Sequence, residues 1–564
     1  MYLRTVTAKG KKYVQLAHNI RDPQTGVTKP QILYSFGRAD RLDLDALRRL
    51  IRSIARFLEP EEVSQIEERL DLDIAFDYLG SRRLGGPWFL DALWKRLGIA
   101  QALKRLLVDR RFRTPVERLI FAMTANRALA PSSKLALEQW VAHEVFIEGL
   151  PEVDVHQLYR AMDFLLEAAD EIQHDVFFSV AHLFNLECDL IFFDTTTTYF
   201  EIDGEDEDQL AEDGQAVAAE GLRKRGYSKD GRSGLAQVVI GWAVTRGGIP
   251  VRCWVWPGNT MDQTLVEEVK GDLNGWRLGR IVTVLDAGFN SVENRRVLQG
   301  AGDHYIIGEK LRSGKQALPV EALRRGGKYK QLEGDLQVKE VTVGGDGPAR
   351  QRFVVVRNPR EAERDRKKRD EIVAEVERRL EELRQLAGEP HKKAACELRA
   401  HPTFGRYIRQ TKRGELRLNR AKIRQEEKLD GKFLIRVSDD GMPAEDAVLG
   451  YKGLWQIERV FRDLKHVVDI RPVYHRLEDR IRAHVLLCWL AMLLIRVAEN
   501  ESDWTWHQMQ QELGRLEVGI HRTRSGEVWQ RNHPTEELEA LFKALELKLP
   551  PRYLAIPTPQ RQPA

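Results

Sequence analysis

Three carboxylates stand where they could share chemistry. Asp194 closes the apolar run LIFF, and Asp286 closes IVTVL. A charge at the end of a buried strand is costly unless it is paired or holds a cation. If the two strands are neighbours, about 4.8 Å apart, the two carboxylates can share a divalent metal. Mg²⁺ favours such hard oxygen donors. The alternative is that each aspartate only caps the turn that follows it. Glu458 is the third. A helix is predicted over 446–467, in which Tyr451, Glu458 and Lys465 are seven residues apart. Seven residues turn a helix by about 700°, so the three lie within roughly 40° of one another. Trp455 and Arg462 fall on the same side. Leu454, Ile457, Phe461, Leu464 and Val468 make an apolar stripe about a quarter turn away. That stripe would lie on a sheet and leave Glu458 at its border.

The elements that must hold these residues can be read from periodicity. Residues 1–42 alternate around the turn signal DPQTG and predict a small β module. From 43 to 187 apolar residues recur at three and four, as in FLDALWKRLGIAQALKRLL, and predict a helical region. Residues 188–312 then run strand, hairpin, helix, strand, helix, strand, which describes an α/β layer. Within it, Glu201–Asp213 holds eight carboxylates and no base, and reads as a solvated loop. Residues 313–445 interrupt the layer with short strand-like pieces around a charged helix at about 360–387, read as a short coiled hairpin. Inside this segment, Arg406–Lys428 holds nine Lys or Arg and three Glu. Arg409, Lys412, Arg413 and Arg417 in that run could track DNA phosphates or form a solvated face. Residues 446–500 return to the layer, and 501–564 read as a helical region with a Pro-rich, disordered tail.

Composition narrows the classes. The 564 residues are 42% hydrophobic and 31% charged, with Lys+Arg 89 against Asp+Glu 85 and a net charge of +4. That is a globular composition, and any nucleic-acid contact must come from local basic patches. The apolar run Val485–Ile495 is too short for a membrane span and predicts a buried core helix. No signal peptide is evident. The four cysteines, Cys188, Cys253, Cys396 and Cys488, form no C-x-x-C pair, which suits a reducing cytosol. GEKLRSGKQ has the wrong spacing for a phosphate loop, and no H-E-x-x-H or G-x-S-x-G occurs. A hydrolase using Asp194 as nucleophile would need a D-x-D pair, but residue 196 is Thr. A DNA-binding regulator without catalysis is the other competing class.

The blocks FDTTTTYFE, WPGNTMDQT and VLDAGFNS, followed by Tyr451-x2-Leu454-x3-Glu458-x6-Lys465, occur in order. Together they resemble the DDE transposases of bacterial insertion sequences, in the insertion-sequence-four superfamily, whose third carboxylate lies in a Y-x2-R-x3-E-x6-K motif. The resemblance covers about 190–500, and the start YLRTVTAKGKKYVQL is similar too. Leu454 departs from the motif arginine, and Arg459 or Arg462 could supply that charge. The resemblance implies an RNase H-like catalytic core (188–312 and 446–500) interrupted by a β-rich insertion (313–445), with residues 43–187 binding DNA ends. It implies two Mg²⁺, replaceable by Mn²⁺, held by Asp194, Asp286 and Glu458. It implies cut-and-paste transposition through a hairpin on double-stranded DNA, at inverted-repeat ends and a target, by a homodimer in the bacterial cytoplasm at the nucleoid. Tyr451 and Lys465 would hold phosphate, with Arg462 also facing DNA, and Trp455 would stack on a flipped base.

Overall fold

The computed structural model describes residues 1–564 except 9, 22–26, 56–76, 109, 151, 187–188, 202–203, 211–216, 277, 312–316, 346–349, 524–525 and 556–564. The chain forms two units, Arg82–Glu517 with His533–Pro550, and Met1–Ser81 with Val518–Asn532 and Pro551–Ala564. The second unit begins with β1 (Tyr2–Ala8), β2 (Lys11–Arg21) and β3 (Thr28–Arg38), a three-stranded antiparallel sheet. It also holds a strand that the sequence reading assigned to helix, β4 (Asp77–Arg83).

In the first unit, β5 (Leu190–Tyr199), β8 (Gln237–Thr245) and β9 (Pro250–Pro257) form an antiparallel ladder. β6 (Gln209–Leu210) and β7 (Val217–Ala219) form a separate short ribbon. β10 (Val282–Leu285) runs parallel to β5, and β11 (His304–Gly308) runs parallel to β10. These strands are buried on both faces, which is why they read as continuous apolar runs and not as alternation.

The insertion is not a separate layer. β12 (Lys330–Gln331), β13 (Gln337–Val343), β14 (Gln351–Arg357) and β17 (Lys432–Val437) extend the same sheet past β11, giving the order β12-β13-β14-β17-β11-β10-β5-β8-β9. The segment expected to interrupt the layer at 313–445 also contributes strands to it. The reason is that β11 would otherwise present an unpaired edge, and β17 covers it in antiparallel register. Among the described residues, one face of β13, β14 and β17 packs Ala322, Val341, Val343, Phe353, Val355 and Leu434 into a small core, and the middle of the insertion has another. Helices Pro359–Arg384 and Gly388–Ala400 pack Val376, Leu380 and Leu398 with the hairpin β15 (Ile408–Gln410) and β16 (Leu416–Leu418).

Helices Gly85–Arg96, Val116–Leu129 and Val155–Glu167 pack against helix Glu478–Ser502, which also packs on β9. This helix is long and apolar enough to cross a membrane by composition, yet 94% of its apolar window is buried inside the protein. The C-terminal region is not wholly helical, contrary to the sequence reading. β18 (Glu517–Thr523), β19 (Gly526–Arg531) and β20 (Tyr553–Ala555) complete a four-stranded sheet in the order β20-β19-β18-β4. Pairing across more than 400 residues gives no local signal. The Pro-rich end, 549–564, was expected to be disordered, but Tyr553–Ala555 pair with β19, and 556–564 lie outside the described residues. The acidic stretch is also more structured than expected, because Asp206 pairs with Arg223 and Asp208 with Lys224.

Candidate active site

The register of β5 and β10 builds the site. Phe193 pairs with Leu285, so Asp194 and Asp286 follow side by side at the same edge of the sheet. The spacing of paired strands then separates their backbones by about 5 Å. Asp194 is half-buried, and its own Oδ1 accepts the Thr195 N–H at 2.7 Å. Burial pushes its carboxyl up to about 6, and the neighbouring carboxylates of Asp262 and Asp286 push the same way against the pull of Lys229. Asp194 does not close its strand as the sequence suggested, since β5 continues to Tyr199 beside β8, and it ends only the pairing with β10. Three carboxylates against the one ammonium of Lys229 leave a net negative charge there that favours a cation.

Glu458 lies in the first turn of helix Trp455–His466, where it is exposed. Ile457, Val460, Phe461 and Leu464 form the buried face of that helix, which packs on β5 and β8. The predicted single helix over 446–467 is corrected here. Helix Ala444–Lys452 ends at Gly453, and a second helix starts at Trp455. A Cβ on Gly453 would lie 2.5 Å from the Phe192 ring, so the chain needs glycine to pass this close to β5. Tyr451 therefore sits on the preceding helix, not one turn family with Glu458 and Lys465. Its ring stacks on Phe433 at 5.8 Å, and its hydroxyl reaches the end of β11, where a Cβ on Gly308 would lie 2.3 Å away. Burial, then the carboxylates of Asp286 and Glu458, push the Tyr451 hydroxyl well above its ordinary value.

Trp455 is 51% exposed at the start of its helix, and it is not part of the apolar core. The side chain of Arg462 is exposed, with Nε 3.6 Å from Asp463. Arg459 donates to Glu499 at 2.9 Å, so it is engaged away from the carboxylates. Lys465 donates to Asp230 at 2.8 Å and is largely buried. Arg409, Lys412, Arg413 and Arg417 are exposed on and around the β15–β16 hairpin, which packs in the separate small core and not with Asp194 and Asp286. Arg417 pairs with Glu415 at 2.8 Å.

Residues not singled out from the sequence join the site. Lys229 Nζ lies 3.6 Å from Asp194 and 3.1 Å from Asp262. Thr195 Oγ1 donates to Asp262 at 2.6 Å. A Cβ on Gly288 would lie 3.9 Å from an oxygen of Asp262 and from one of Asp286, which brings these two carboxylates to the same glycine. Asp262 was within reach of sequence reasoning, because it stands in the block WPGNTMDQT. Lys229 and Asp230 had only a charged dipeptide in a Gly/Ser-rich stretch as a signal.

The donor set fits a divalent metal chemically: hard carboxylate oxygens clustered at one sheet edge, with like charge to be neutralised. Among the described residues, no three Asp, Glu, His or Cys side chains converge closely enough to form a ready cage. An ammonium, that of Lys229, stands among the carboxylates instead.

Comparisons with known proteins identify the family of the chain. Residues 3–65 match the model of the IS1634 family transposase N-terminal domain. No curated protein matches the chain. A solved structure described as the cryo-EM structure of piggyBac transposase synaptic complex with hairpin DNA is similar at 10% identity, over 76% of this chain and 78% of that chain, with a TM-score of 0.34. A likeness that distant carries no argument about this chain. Residues 204–494, more than half of the chain, match the model of the transposase DDE domain. The chain belongs to that family and is a DDE transposase of the insertion-sequence type.

Proposed function

We propose that this transposase cuts and joins DNA at transposon ends, with Asp194, Asp286 and Glu458 as its reactive centre, and moves its element by cut-and-paste through a hairpin. The observation that carries the reading is the parallel register of β5 with β10, which delivers two aspartates side by side at one sheet edge. The order β9-β8-β5-β10-β11, with β8 antiparallel to β5 and β10 and β11 parallel to it, supports an RNase H-like core. Family membership supports double-stranded DNA, both element ends and target, as the substrate. It also supports a homodimer as the assembly and the bacterial cytoplasm at the nucleoid as the place of action. The helices between Gly85 and Leu183, within the 43–187 region, are proposed to bind the ends.

Asp194, Asp286 and Glu458 would hold two Mg²⁺, or Mn²⁺ in their place, which supply charge to activate the attacking oxygen and to stabilise the leaving one. The chain's own residues do the positioning. The Tyr451 hydroxyl, kept protonated by burial and by Asp286 and Glu458, can donate to a phosphate oxygen between them. Lys465, on the far end of the Glu458 helix, can neutralise the next phosphate. Water attacks phosphorus at the element end, and the displaced 3′ oxygen leaves as a hydroxyl. That hydroxyl attacks the opposite strand and closes the hairpin. The hairpin is then opened, and the 3′-OH attacks the target.

The test is strand nicking of duplex DNA carrying the inverted repeats that flank the gene, in Mg²⁺ and in EDTA. Nicking confined to Mg²⁺ or Mn²⁺ and to those ends supports the reading, and nicking in EDTA refutes it.

Trp455 gives a second check. An indole half in solvent beside the reactive helix offers a flat face to a base displaced from the stack. Unstacking costs a few kcal/mol, and stacking on an aromatic returns about 1–3 kcal/mol per base. Trp455→Ala is expected to leave first-strand nicking within a few-fold of normal and to slow hairpin closure by more than about tenfold. DNA lacking the base at that position should partly restore closure. Equal loss of both steps with loss of folded protein would make Trp455 a packing residue.

A further inference from the structure

Two residues adjacent in sequence and opposite in charge occupy two different seats in the site. Lys229 Nζ donates to the Thr195 carbonyl at 2.8 Å and lies 3.1 Å from Asp262 and 3.6 Å from Asp194. It stands where a cation belongs. Asp230 accepts from Lys465 at 2.8 Å, and its other oxygen lies 3.3 Å from Arg471. That second oxygen is buried with no hydrogen bond, so charge alone holds it there. Asp230 stands where an anion belongs, against two cations at the end of the Glu458 helix.

The stretch that carries the pair is a turn, held by the Gln237 side chain donating to the Tyr227 carbonyl at 3.1 Å and the Arg232 N–H donating to Ser228 Oγ at 3.1 Å. The Lys229 N–H donates to Thr197 Oγ1 at 3.0 Å, Ser228 Oγ accepts the Asp230 N–H at 3.3 Å, and neighbouring Tyr227 is 86% exposed. One ammonium also leaves the carboxylate cluster undercharged, since Asp194, Asp262 and Asp286 outnumber it. A divalent ion neutralises more of that charge than a lysine does. A phosphodiester likewise replaces a carboxylate on Lys465 and Arg471 while keeping their charge paired.

We propose that Lys229 and Asp230 are positioning residues, holding Asp194 with Asp262 and Lys465 with Arg471 until a divalent ion and a DNA phosphate replace them in one coupled exchange. The proposal rests on the metal-site reading above. Because the two residues share one peptide bond, withdrawal of either loosens the other. Metal and DNA therefore bind with positive, reciprocal coupling.

The test uses the full chain, Mn²⁺ alone as the metal probe, and a duplex of arbitrary sequence as the phosphate probe. Mn²⁺ affinity is followed by electron paramagnetic resonance and duplex affinity by anisotropy. Lys229→Gln is expected to bind Mn²⁺ at least about fivefold tighter without DNA, with Lys229→Arg returning to the native value. Asp230→Asn is expected to bind duplex at least about fivefold tighter without metal. In the native protein, duplex should tighten Mn²⁺ by the same factor by which Mn²⁺ tightens duplex, and both single variants should shrink that factor. Unchanged or weaker Mn²⁺ binding by folded Lys229→Gln overturns the proposal. So does native coupling of one, a measurement that needs no variant to fold. Failure of the underlying site reading has a different signature: Mn²⁺ binding that is absent from the native protein, or that Asp286→Asn leaves untouched.

Discussion

Asp194→Asn, Asp286→Asn and Glu458→Gln are each expected to lower strand nicking by at least about a thousandfold while end binding stays within a few-fold of native. Each substitution keeps the shape of the side chain and removes the charge that would hold the ion. The three act as one unit, so a double variant should lose little beyond a single one. Gel assays of nicking and end binding at matched protein concentration check both halves. The melting temperature of Asp194→Asn in EDTA is expected not to fall, because burial and the carboxylates of Asp262 and Asp286 already disfavour its ionised form. Near-normal nicking by any one folded variant removes that residue from the centre.

The second large effect is on stability. Arg436 on β17 donates to Glu309, just past β11, at 2.6 Å, with both side chains almost fully buried. Arg436 also stacks over Phe353 at 4.7 Å and donates to Gln351. This pair ties the inserted strands to the strand next to Asp286. Arg436→Met alone leaves Glu309 as an unpaired buried charge, and a loss of about 3–5 kcal/mol is expected. Adding Glu309→Leu should recover most of that loss, because the desolvation cost disappears with the charge. Denaturant titration of the single and double variants measures both. A single variant within about 1 kcal/mol of native would show that water reaches the pair.

The strands that carry Asp194 and Asp286 were legible because they are buried on both faces. LIFFD and IVTVLD are continuous apolar runs that end on a carboxylate, and such runs are read without knowing their partners. The stripe Ile457, Phe461 and Leu464 was legible for a similar reason, being a local period. The break before Trp455 was not, because Gly453 is required by contact with Phe192, more than 250 residues earlier. Lys229, Asp230 and Asp262 were missed for the same kind of reason. Each acquires its role from a partner on another element, Asp194, Lys465 and Thr195 respectively. The strands β13, β14 and β17 read only as short strand-like pieces that interrupt the layer, since what joins them to the main sheet is the pairing of β17 with β11.

The inserted strands also set a schedule. A growing chain displays Asp194 and Asp286 long before Glu458, which follows Asp286 by 458 − 286 = 172 residues. At roughly 5–20 residues per second, that interval is about 9–34 s of synthesis. During it, β11 lacks β17, and the edge beside Asp286 is unfinished. The strand that covers β11 and Glu458 are made within 458 − 432 = 26 residues of each other. A chain halted before Lys432 therefore carries Asp194 and Asp286 beside an open sheet edge and lacks Glu458.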